Sequence, residues 1–195
     1  MKLIPFYRIG LLLSLTLLCA CNQKTPAPAA KIAGPASPGA RAGTGATDGY
    51  AEYVNARFGF SLRYPDSLLK GQGEADNGDG QSFESKDGGA RLAAWGSNNV
   101  LDKTIKSEFA DALKDDKKSS RKVTLKIQKD NWFVISGLNG DNIFYRKQFL
   151  LKDQWVVFDF TYPAAQRAQW DPVVAAVAKS FNPAALPDVA DRAPH

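Results

Sequence analysis

The sequence predicts an α+β domain, a mostly antiparallel sheet flanked by helices. Three observations predict it. Several stretches alternate apolar and polar residues with a period of two, the mark of strands with one face on a core. The connections between these stretches are short turn signals, and short connections join antiparallel neighbours. Two further stretches carry apolar residues at helical spacing, so the elements mix without a strict βαβ alternation.

The first strand is predicted where Phe58, Phe60, Leu62 and Tyr64 alternate with Gly59, Ser61 and Arg63. Asp87-Gly88-Gly89 then separates residues 81–86 from residues 90–96 as two arms of a hairpin. In the first helix, Ile105, Phe109, Ala112 and Leu113 recur on one face, with Asp102 as the expected N-cap. Next, Val123, Leu125 and Ile127 alternate with Lys122, Thr124, Lys126 and Gln128. A regular strand there puts the three aliphatic residues on the core and both lysines on the opposite side. Lys129-Asp130-Asn131 ends that strand. Asn139-Gly140 suits a type I′ hairpin, which needs positive φ at both central residues. Lys152-Asp153-Gln154 separates the last two strands, the second of which alternates Val156, Phe158, Phe160 and Tyr162 with Trp155, Val157, Asp159 and Thr161. The second helix is expected to start at Asp171 as N-cap with Pro172 at its first position. Val173, Val174, Val177 and Phe181 form its apolar stripe. About seven strands and two helices result, and periodicity leaves the strand order open.

What precedes this domain reads as targeting. Lys2 and Arg8 form a positive n-region, and residues 9–18 are an apolar run. The run is shorter than the roughly 20 residues a membrane span requires, and it fits a signal-peptide core. It ends in Leu18-Cys19-Ala20-Cys21, which resembles the lipobox of bacterial lipoproteins. That resemblance implies cleavage before Cys21, a diacylglyceryl thioether on Cys21, and acylation, usually by palmitate, of the new amine. The competing reading is an ordinary secretory signal with a free cysteine near the mature terminus. Asn22 follows Cys21. In enteric bacteria Asp at that place retains lipoproteins in the inner membrane, so the resemblance implies the outer membrane here, with the domain facing the periplasm.

Residues 21–48 are rich in Ala, Pro, Gly, Thr and Ser, with Ile32 the one large aliphatic residue after the cysteine. Such a stretch buries too little surface to offset its ordering entropy and reads as a tether. Residues 183–195 have a similar composition and are expected to fray. The organisation is therefore signal peptide 1–20, tether 21–48, one globular domain 49–182 and tail 183–195. About 135 residues suffice for one core.

The inventory of reactive groups is thin. The chain has 2 cysteines and 1 histidine. Cys19 leaves with the signal and Cys21 is consumed by lipid, so the mature protein has no thiol for a disulfide, a zinc site or a nucleophile. His195 sits at the chain end, far from any triad or metal role. Glu74 to Gly80 is acidic and glycine-rich, but counted from Glu74 the EF-hand glycine place holds Asp79 and the closing Glu place holds Ser85. It reads as a turn. No phosphate-cradling glycine motif follows a strand. Ser67-Leu-Leu-Lys70 and Ser119-Ser-Arg-Lys122 have Ser-x-x-Lys spacing without the companion elements of a serine–lysine hydrolase. Trp95, Trp132, Trp155 and Trp170 read as core more readily than as a sugar platform. No cofactor, no metal and no enzymatic activity are expected, and the alternative is an envelope hydrolase or transferase working through carboxylates or a Ser–Lys pair.

The net charge of +5 is modest, but one segment stands out. Residues 117–129 contain Lys117, Lys118, Arg121, Lys122 and Lys126 before any acid intervenes. Lysines on an exposed strand discourage edge-to-edge pairing. The sharper reading is contact with an anionic partner, an envelope protein or an acidic glycan. Nucleic acid is not expected for an exported protein.

Two quoted stretches carry a wider resemblance. Residues 55–65 open with an aromatic strand ending in Tyr64-Pro65, and Phe158-Asp-Phe-Thr-Tyr-Pro163 leads into a helix closing at Lys179-Ser-Phe181. Together they resemble the PsbP-like family of photosystem II extrinsic proteins and many uncharacterised bacterial proteins. The resemblance implies an α/β/α sandwich and a binding or assembly role, and it carries no functional residue onto this chain.

Overall fold

The computed structural model describes residues 48–118 and 121–186, with side chains from 115 to 118 outside the description. β1 (Ala51–Val54) and β2 (Ser61–Tyr64) form an antiparallel hairpin of their own. A second sheet has seven strands in the order β3-β4-β5-β9-β8-β7-β6. These are β3 (Leu69–Glu74), β4 (Gly80–Ser85), β5 (Arg91–Asn98), β6 (Lys122–Gln128), β7 (Trp132–Asn139), β8 (Asn142–Leu151) and β9 (Gln154–Pro163). Every pairing is antiparallel. The chain leaves β5 in mid-sheet through α1 (Ile105–Lys118), starts again at the far edge, and returns as the meander β6 to β9 to pair with β5. A 3-10 turn (Ala164–Gln166) leads into α2 (Arg167–Ser180).

Two cores lie on the two faces of this sheet. On one face the hairpin and α2 pack over Phe83, Leu92, Ala94, Val156, Phe158, Phe160 and Tyr162. Phe158 is fully buried, stacked on Tyr145 at 5.5 Å and edge-on to Phe181 at 5.1 Å. Gly96 is required here, because a Cβ would overlap the ring of Phe58. On the other face α1 sets Ile105, Phe109, Ala112 and Leu113 against Phe133, Ile135, Phe144 and Trp155. Trp155, out of phase with Val156 and Phe158, is therefore core on the α1 face.

Local expectations differ from the structure at five places, each for a physical reason. Phe58 and Phe60 are buried but precede β2, held in a loop by Asn55, whose side chain accepts from the Phe58 amide at 2.7 Å. Asp102 is not the cap of α1. It stands at φ 47°, and Thr104 and Ser107 cap the helix by exchanging side-chain and amide bonds at 3.0–3.2 Å. α2 begins at Arg167, before Asp171, leaving Pro172 inside it. The missing N–H forfeits the bond to the Ala168 carbonyl. Burial of Trp170, 2% exposed and bonded through its indole N–H to Gln166 at 2.8 Å, offsets that loss. In the β7–β8 turn the register Asn139↔Asn142 makes Gly140 and Asp141 the central pair. Only Gly140 has positive φ there, the pattern of a II′ turn rather than I′. The fifth difference, in β6, bears on the candidate site.

Candidate functional site

Lys117 and Lys118 fall in the last turn of α1, where cations complement the helix dipole. Their side chains lie outside the described residues, as do Cys21 and the tether up to residue 47. Arg121 opens the following segment half-buried, its guanidinium 4.7 Å from the centre of the Phe144 ring. Lys122 and Lys126 are exposed on β6. The structure thus gathers the basic residues around the corner where α1 hands over to the edge strand.

They do not form the single outward row expected of a regular strand. Val123 pairs with Gly137 but Leu125 pairs with Ser136, so one extra residue, Thr124, bulges from β6. A Cβ at Gly137 would overlap the Lys122 carbonyl and crowd Val123. The glycine thus permits the close approach of the two backbones at the bulge. Because strand side chains alternate, an inserted residue reverses everything after it. Val123 packs on the α1 core. Leu125 and Ile127 turn to the opposite face, where they remain 41% and 36% exposed. Lys122 shares that face with Leu138, while Lys126, opposite Ile135, shares the α1 face. Both the core role of Leu125 and Ile127 and the common side of the two lysines are corrected by this bulge.

Across β6, β7 and β8 this face presents rows of facing residues. They run Lys122, Leu138, Ile143; then Leu125, Ser136, Tyr145; then Ile127, Val134, Lys147; then Trp132 and Phe149. Lys147 lies near both rings of the last row, its ammonium 5.3 Å from Trp132 and 5.1 Å from Phe149, and it donates to the Ala178 carbonyl at 3.3 Å. Burial holds that ammonium below the ordinary lysine range. At the other end a groove of about 350 Å³ opens between Thr124, Leu138, Ala164 and Arg167. Arg167 pairs with Asp171 at 3.5 Å, and Asp171 also accepts from the Tyr162 hydroxyl at 2.6 Å.

Of the reactive constellations weighed in the sequence, the acidic Glu74 turn has a structural role. The Glu74 carboxylate accepts from Tyr53 and Asn55 at 2.8–3.0 Å, tying the β3–β4 turn to the hairpin. Burial, with Glu74 adding to it, pushes the Tyr53 hydroxyl far above its usual range. No group of three metal-capable side chains gathers among the described residues. The Lys70 ammonium bonds to the Asp66 carbonyl at 2.6 Å, with Ser67 exposed beside it. Ser119 lies outside the described residues. Ser136 donates to the Phe144 carbonyl at 2.7 Å. Trp170 is core, while Trp95 and Trp132 are half-buried. Among the described residues no helix is long and apolar enough to cross a membrane.

No family model matches the chain, and no curated protein matches it by sequence. Among solved structures it resembles the solution structure of cyanobacterial PsbP (CyanoP) from Synechocystis sp. PCC 6803, with a TM-score of 0.53 at 13% identity. The match covers 72% of this chain and 95% of that one. At that identity the likeness speaks to architecture alone. The domain has a PsbP-like α+β fold, a mostly antiparallel sheet with two helices.

Proposed function

We propose that this chain is a lipid-anchored binding or assembly module of the bacterial cell envelope, held on the outer membrane with its domain in the periplasm. The observation that carries the reading is Leu18-Cys19-Ala20-Cys21 at the end of a short apolar run. Two or three acyl chains, each methylene contributing about 0.8 kcal/mol, make a lasting anchor. The Ala/Pro/Gly tether gives the domain reach from the bilayer. Binding rather than catalysis is supported by Glu74 and Ser136 being engaged in structural hydrogen bonds. The anionic partner, an envelope protein or acidic glycan, would meet Lys117, Lys118 and Lys122 at the α1–β6 corner. Lys126 extends that field on the α1 face, and Arg121 is committed to the Phe144 ring.

The anchor is tested with Cys21→Ser in the full chain. Radiolabelled palmitate should be incorporated by the wild type and lost in the variant, and the wild type should fractionate with the outer membrane. Labelling of the variant, or recovery of the wild type in the inner membrane, refutes the corresponding half of the reading. The partner contact is tested with Lys118→Glu and Lys122→Glu together. Association with envelope fractions should fall more steeply at low salt than at high, since exposed charges are screened over about 8–10 Å.

A further inference from the structure

We infer that the bulge-exposed face of β6 and β7, beside the wall formed by α2, is the docking surface for an acidic amphipathic helix of a partner protein. The inference rests on the binding-module reading but not on the lipid anchor. Its first ground is the bulge itself. Thr124 takes two aliphatic residues from the α1 core and turns them toward solvent beside Leu138, which is 37% exposed. Bulges commonly re-aim side chains where a strand is put to use. Gly137 is the residue that accommodates this one.

The second ground is charge. Every row of this face is apolar, hydroxylic or cationic, and none contains a carboxylate. Lys122 stands at one end, beside the Arg167–Asp171 ion pair of α2, and Lys147 toward the other. A carboxylate reaching Lys147 would offset the desolvation that depresses its ammonium. Charge complementarity of this kind selects an acidic partner and fixes its direction.

The third ground is shape. α2 packs on β9 and β2, so the face is a step between the free edge of the sheet and a helix wall. The exposed side chains lie on β6 and β7, while Ile143 and Phe149 of β8 are buried at the foot of the wall. The step is thus a groove open on one side, the kind of seat an amphipathic helix takes. On the opposite face α1, 14 residues long, packs on these same strands. A partner helix of similar length on the shelf would complete the sandwich there. A flat bilayer would meet the wall before the shelf. An added strand would meet an edge interrupted by a bulge and carrying Lys122 and Lys126, features that resist edge pairing.

The test places the photo-crosslinker benzoylphenylalanine at Leu138 of the full chain, in the cells that make it, and sequences the attached peptide. A second chain with the crosslinker at Gln128 samples the α1 face. The expected product, at position 138 only, is a peptide with carboxylates on one helical face and leucine-like residues on the other. Its yield should fall at least tenfold in Leu125→Gln/Ile127→Gln, with an unchanged melting curve. Products that are lipid, a second copy of this chain or its own residues 187–195 overturn the inference, as does an absence of product. Running the same crosslink in Cys21→Ser separates the two readings. Loss of palmitate with the peptide product retained sinks neither, whereas normal palmitate labelling with no peptide product sinks only the docking helix.

Discussion

Two regions of the seven-stranded sheet carry exposed side chains outside its covering layers, and they are built differently. On the α1 face of β3, β4 and β5 the rows read Lys70, Glu84, Arg91 and then Ser82, Ala93, Asp159, Arg146. Opposite charges face each other there, Arg91 with Glu84 at 3.8 Å and Arg146 with Asp159 at 2.8 Å. That is an ordinary solvated sheet surface. On the other face of β6 and β7 the rows expose Leu125, Ile127 and Leu138 with Lys122, run into buried aromatic residues at β8, and hold no acid. The same sheet thus supplies one surface suited to water and one suited to a partner. The exposure of Leu125 and Ile127 traces to a single inserted residue, Thr124.

The covered face sets the scale of the largest expected effect. Phe158 is fully buried among Tyr145, Phe149 and Phe181. Phe158→Ala should cost about 3–5 kcal/mol, read as a lowered midpoint in urea unfolding. A cost below about 1 kcal/mol would mean that this face is not the principal core.

Next comes the bulge. Gly137→Ala forces a methyl against the Lys122 carbonyl. Overpacking of that kind costs about 1–3 kcal/mol. Amide exchange should accelerate first in β6 and β7 and leave β3, β4 and β5 protected. A uniform loss of protection would show that the two halves of the sheet open together and would blunt the comparison.

The period-two pattern made β9 legible, and β7 and β8 were marked off by their turn signals, which close two-residue turns. It did not reveal the bulge. Val123, Leu125 and Ile127 give the same alternation whether they share one face or not, and the register shift lies in the pairing with Gly137. β1 escaped notice because Ala51–Val54 is too short to show a period. Asp102 was a reasonable cap by residue type, but the Thr104–Ser107 exchange one turn further satisfies the same amides. The clustering of basic residues was legible as charge. Their division between two faces was not, and neither was the apolar shelf, whose exposed residues come from β6 and β7 and meet only through register.

Alkaline pH separates the two faces in another way. Tyr53 and Tyr162 both pack under the hairpin and α2, and both have hydroxyls held above the ordinary range, chiefly by burial. A raised folded-state pKa means that the stabilisation is fully present below the unfolded value of about 10. It is lost as pH rises through the folded value. Stability should therefore hold to about pH 10 and fall beyond it. Tyr162→Phe should flatten that fall while lowering stability at neutral pH by about 1 kcal/mol through the lost bond to Asp171. An identical alkaline limb in the variant would assign the effect elsewhere.

The smallest effect bears most directly on the two open regions. Leu125→Gln with Ile127→Gln, and Glu84→Gln with Arg91→Gln, should each change stability by no more than about 0.5 kcal/mol, as exposed substitutions do. Equal stabilities with unequal interaction would separate a docking surface from a merely solvated one. Lys147→Met sharpens the contrast. Removing a half-buried ammonium whose charge is penalised by its surroundings should raise the unfolding midpoint, while the partner contact weakens because its inner cation is gone. A substitution that strengthens the fold and weakens the contact identifies a residue kept for binding. If Lys147→Met instead lowers the midpoint, its contacts with Trp132, Phe149 and the Ala178 carbonyl outweigh its desolvation. The lysine would then belong to the framework of the shelf rather than to its function.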